Sequence, residues 1–157
     1  MRINSPNLVR LGMIFIAIIS LFLLPKQALK RFLPTSIFTS FLVIFMCTLA
    51  VPYKWWKVTG GIKGKVLNDA SFILGPFFAG TLWIFHLTYG NFKVYALVNF
   101  LFDWAFSYPL NHLFQKWKLY KLLNFKQKHI LLFFTSYSFI IYFFQGIIEI
   151  GRKNLNN

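Results

Sequence analysis

Five apolar runs, separated by short basic, polar or proline-marked breaks, set the pattern of this chain. The first covers about 6–24. It follows Ser5-Pro6, a helix start with proline at the first helical position, and stops at Pro25-Lys26. At 1.5 Å per residue such a helix spans about 28 Å, close to the thickness of a bilayer's hydrocarbon core. Arg2 and Arg10 precede its most apolar part, as in a signal peptide, but no small-x-small cleavage site follows. The expectation is an uncleaved first span. A basic connector, Lys26 to Leu33, leads to a second run at 34–51, bracketed by Pro34 and Pro52. The third run, 70–89, has Asn68-Asp69 as its cap and Gly90 at its close. The fourth covers 92–114 and the fifth 130–150. Together they predict an all-α polytopic bundle of about five spans, as one transmembrane domain over 1–157.

The fourth run breaks the apolar pattern in an ordered way. Asn99, Asp103, Ser107 and Asn111 recur every four residues, which places them along one side of a helix. A carboxyl at membrane depth is costly unless it faces protein or trapped water. The other helices are therefore expected to pack around this stripe. Gly90-Asn91 leaves room only for a tight hairpin between runs three and four. Residues of that hairpin whose numbers sum to about 180 then lie at one depth. Asp103 falls level with Phe77, beside Gly75-Pro76, where proline breaks the helical ladder. Gly75/Ala79 and Pro76/Gly80 form two small-residue tracks for close helix approach.

Composition agrees with a bilayer and narrows the partners. Of 157 residues 57% are hydrophobic, with 21 Phe, more apolar surface than a water-soluble domain of this size hides. Net charge is +14, from 17 Lys/Arg against three acids. The basic residues sit between the apolar runs, so anionic lipid headgroups, rather than nucleic acid, are the expected partner. Tyr53 to Lys57 reads as an interfacial belt, with Lys54, Trp55, Trp56 and Lys57 at headgroup level. Lys63 and Lys65 in the glycine-rich stretch VTGGIKGKVL belong to a flexible loop at the same surface. That stretch is one residue short of a phosphate loop and has Val66 where Ser or Thr is required. Between runs four and five, basic residues alternate with aromatic and apolar ones. Lys116, Trp117, Lys118 and Lys121 are placed in an interfacial amphipathic segment. Eleven Lys/Arg fall on the side of the first run's start and six on the other, which places that start in the cytoplasm.

Few constellations carry chemistry. His86, His112 and His129 sit near run ends, apart from the single Cys47 and from most of the acids, and no metal site or cofactor is expected. Asp69 and His112 share a depth and form the one candidate acid/base pair, next to Lys63 and Lys65. The plainer reading makes Asp69 a helix cap. Glu149 precedes Lys153 by four, a favourable order for a helix ion pair.

The stretches PFFAGTLWIFHLTYG, NFLFDWAFSYPLN and LYKLLNF resemble a loose group of small, uncharacterised bacterial multispan membrane proteins. The resemblance covers about Pro25 to Tyr142 and implies a bundle in the bacterial cell membrane, without an activity to carry over. The expectation is thus a non-catalytic membrane component that packs against lipid, another membrane protein or a second copy. The rival is a small carrier or channel using Asp103, and a third reading is an enzyme on phosphorylated lipid using Asp69, His112 and Lys65.

Overall fold

The fold was taken from a computed structural model, which describes residues 5–155. Five helical rods and one small sheet make it up. They are α1 (Ser5–Leu23), α2 (Lys26–Leu49), α3 (Gly61–Thr88), α4 (92–116) and α5 (Gln127–Leu155), with strands β1 (Trp56–Val58) and β2 (Tyr120–Leu122) paired antiparallel. Helices α1, α2, α3 and α5 are long and apolar enough to cross a membrane. Helix α4 is long enough too, about 37 Å at 1.5 Å per residue, but its polar stripe lowers its hydropathy. The all-α class and the bundle expected from the sequence are both present. Large apolar side chains remain on the outside, Phe15, Phe22 and Phe143 among them, as they do when lipid is the solvent.

The rods follow the apolar runs that the sequence pattern implied, with two corrections. Helix α2 begins at Lys26, not at Pro34, so there is no basic connector and Pro34 lies inside the helix. Proline there frees the Lys30 carbonyl from its usual partner four residues on. The Arg152 Nη2 donates to that carbonyl at 3.3 Å, and Nη1 donates to the Arg31 carbonyl at 2.9 Å. A distant side chain thus replaces the missing amide.

Helix α3 begins at Gly61, so Asn68 and Asp69 lie within it rather than capping it, and Lys63 and Lys65 are helical rather than on a flexible loop. Gly60 enters the helix at φ +100°, a left-handed conformation natural to glycine. Gly64 packs so closely that a Cβ would stand 2.3 Å from the Thr59 carbonyl oxygen. The glycines make a tight helix start, not a loop.

The amphipathic segment after α4 is an extended strand. A turn with Lys118 at φ +57° leads into β2, which pairs Trp56 with Leu122, Lys57 with Lys121 and Val58 with Tyr120. The alternation of basic and aromatic residues there has the period of a strand: Tyr120 is buried and Lys121 exposed.

The prolines inside α3 and α4 sit in π-helical turns, Ile73–Ala79 around Pro76 and Phe106–Leu110 around Pro109. The ladder shifts by one residue, so that the Gly80 amide reaches the Gly75 carbonyl and the Asn111 amide the Phe106 carbonyl. The hairpin at Gly90 (φ +101°) is as tight as expected, with Asn91 capping α4 by accepting from the Val94 amide at 3.3 Å. Phe85 and Tyr95, equidistant from the turn, pack with ring centroids 5.0 Å apart and planes tilted by 40°. They belong to an apolar cluster with Leu24, Ala28, Phe32, Leu82 and Ile141 near that end. A second cluster, Phe72, Phe114, Leu119 and Tyr120, closes the opposite end.

Candidate functional site

Helix α4 turns its polar stripe inward. Ser107 and Asn111 are fully buried, Asn99 and Asp103 half-buried, while Leu97, Leu101, Phe102 and Trp104 remain on the outside. The two asparagines of the stripe find partners close by. Asn99 Nδ2 donates to the Tyr95 carbonyl at 3.0 Å, and Asn111 Nδ2 to the Ser107 carbonyl at 3.1 Å. Asn111 Oδ1 accepts from the Tyr120 hydroxyl at 2.9 Å and from Gln115 at 3.3 Å. Burial pushes the Tyr120 phenol above its ordinary range, so it stays protonated and keeps donating. The Ser107 hydroxyl is buried without a partner.

Asp103 has one side-chain partner. Ser138 of α5 donates to its Oδ2 at 3.2 Å, but that hydroxyl has one proton and also lies 3.1 Å from the Phe134 carbonyl. Among the described residues the ion pairs are Arg31–Glu149, Arg152–Glu149 and Lys65–Asp69. Asp103 is therefore the one acid without a basic partner. It borders a cavity of about 250 Å³ between α3, α4 and α5. Pro76 and Gly80 border it as well, so the proline turn does face the stripe across open space. The other small-residue track, Gly75 with Ala79, packs on α1, with the Gly75 Cβ position 3.8 Å from the Met13 carbonyl oxygen. Trp83 also lines the cavity, and its indole N–H is buried without a partner.

The structure does not join Asp69 to His112. Asp69 pairs with Lys65, one turn before it, and His112 is exposed. His86 is exposed, and His129 Nδ1 accepts from the Lys126 amide at 3.3 Å at the start of α5. No group of three or more His, Cys, Asp or Glu that could hold a metal occurs among the described residues.

The residues assigned to headgroup contact gather at one end. The β1–β2 pairing brings Lys54 and Lys57 to Lys118 and Lys121, and all four are exposed, as are Lys63, Lys116 and Trp117. Trp55 and Trp56 are half-buried: Trp55 stacks on Phe125 at 4.6 Å. Lys65 is committed to Asp69.

Sequence reasoning missed two nodes. Arg10 is 1% exposed and lies inside α1. It donates to Asn7 Oδ1 at 2.9 Å, Asn68 Oδ1 at 3.3 Å, the Thr59 carbonyl at 3.0 Å and the Leu119 carbonyl at 2.8 Å. One guanidinium thus ties α1, α3 and both connectors of that end. The available signal was an arginine inside an apolar run with no acid near it in sequence. At the other end Glu149 pairs with Arg31 by two bonds of 2.9 and 3.0 Å, and with Arg152 at 3.7 Å, instead of with Lys153. No protein-family model, curated protein or solved structure matches the chain.

Proposed function

We propose that this is a non-catalytic component of the bacterial cytoplasmic membrane that holds anionic lipid headgroups, or an acidic partner protein, at its basic end. The observation that carries the reading is Lys57 opposite Lys121 across β1 and β2. Like charges facing each other across a strand pair destabilise it, and an anionic surface relieves the repulsion. Ten of the 16 Lys/Arg among the described residues lie toward this end, which on the positive-inside rule is cytoplasmic. The β1–β2 pairing at one end and the Gly90 hairpin at the other support a reading with five crossings, α4 being the fourth. Purification in mild detergent, followed by lipid analysis, tests it. Anionic lipid should co-purify, and Lys57→Gln with Lys121→Gln should deplete it. A clean monomer with no partner and no lipid preference would contradict the reading.

A second reading, a small carrier or channel, is favoured by the cavity at Asp103. Flux into proteoliposomes separates the two: equal flux by wild type and Asp103→Asn removes the carrier.

A further inference from the structure

We infer that the cavity at Asp103 is a binding site for a small organic cation, a protonated or quaternary amine. Charge is the first reason. The protein carries 17 Lys/Arg, yet none pairs with Asp103 among the described residues, whereas Asp69 and Glu149 both have basic partners. A carboxylate held off water without a counter-charge is costly, so a cation entering the cavity gains what the fold leaves unmet.

The walls supply the second reason. Phe77, Trp83, Phe102, Phe106, Phe134 and Tyr137 surround the cavity. Aromatic faces attract an ammonium group when it is out of water, and they suit amines with alkyl substituents best. An inorganic divalent cation asks for six or more oxygens. Here Asp103 is the one carboxylate on a lining that is otherwise mostly apolar and aromatic. Oxygen-rich coordination is thus not what the lining offers.

Size is the third. At about 30 Å³ per water-sized share of liquid, the cavity of about 250 Å³ takes a molecule of several heavy atoms rather than a bare ion. Asp103 then supplies the counter-charge, Ser138 orients one carboxylate oxygen, and the rings exclude water around the ammonium.

The inference deepens the carrier reading in its ligand, but binding without flux leaves it standing and removes only the carrier. The test is calorimetric titration of the full chain in lipid nanodiscs with tetramethylammonium chloride, against sodium chloride at equal ionic strength. Saturable tetramethylammonium binding that sodium does not displace is expected. Asp103→Asn keeps the shape and an oxygen for Ser138, and should weaken binding at least about tenfold, the scale of losing a desolvated charge partner. Trp83→Leu, which removes a ring and leaves the carboxylate, should weaken it about threefold or more. Lys26→Gln, at an exposed residue outside the lining, should leave it unchanged. No saturation up to about 10 mM, equal binding by Asp103→Asn, or displacement by sodium at equal concentration would each overturn the inference. Should Asp103→Asn not fold, the sodium competition and Trp83→Leu decide it.

Discussion

Arg10 and Arg31 are the same residue type at opposite ends of the bundle, and they hold it in different ways. Arg10 is buried, and every partner it has among the described residues is a neutral oxygen. Arg31 has a side chain 48% exposed and meets a carboxylate by two parallel bonds. The charged partner is the stronger one in isolation, yet burial decides which node matters more. Water competes for Arg31 and Glu149 and screens them. Little water reaches Arg10, and without it Asn68 Oδ1 and the Thr59 carbonyl each lose a donor, while the buried Leu119 carbonyl keeps only the Thr59 amide at 3.1 Å.

The comparison breaks if the ranking of four substitutions fails. Arg10→Met should cost most, about 3–5 kcal/mol, the scale of removing one side of a buried polar node, measured by reversible unfolding in detergent. Gly64→Ala comes next, at about 1–3 kcal/mol, because its Cβ meets the Thr59 oxygen that Arg10 also needs. Tyr120→Phe removes the donor to Asn111 beside the same node and should cost about 1 kcal/mol. Arg31→Gln should cost least, about 1 kcal/mol or below. That small effect should shrink further in added salt, whereas the Arg10→Met effect should not. An Arg31→Gln loss larger than that of Arg10→Met would reverse the lesson.

Much of this was legible in the sequence wherever the signal was local and periodic. A polar residue every fourth position in an apolar run placed the α4 stripe inward. Gly90-Asn91 predicted the hairpin that sets Phe85 against Tyr95. Local signals misled where a distant group overrode them. Pro34 looked like a helix start because its unmet carbonyl partner, Arg152, lies far along the chain. Asn68-Asp69 looked like a cap because the true start depends on Gly64 fitting under Thr59. The strands were hidden by their length of three residues each, too short for a period to declare itself. Asp103 was visible as an unusual acid, but its lack of a basic partner and its cavity exist only in three dimensions.

Sided labelling tests the central claim most directly, namely that α4 runs the full height of a five-crossing bundle. With the buried Cys47 changed to Ser, single cysteines at 57, 93 and 121 can be probed with a membrane-impermeant maleimide in oriented vesicles. The account predicts that positions 57 and 121 react from one side and position 93 only from the other. Reaction of 93 and 121 from the same side would contradict it.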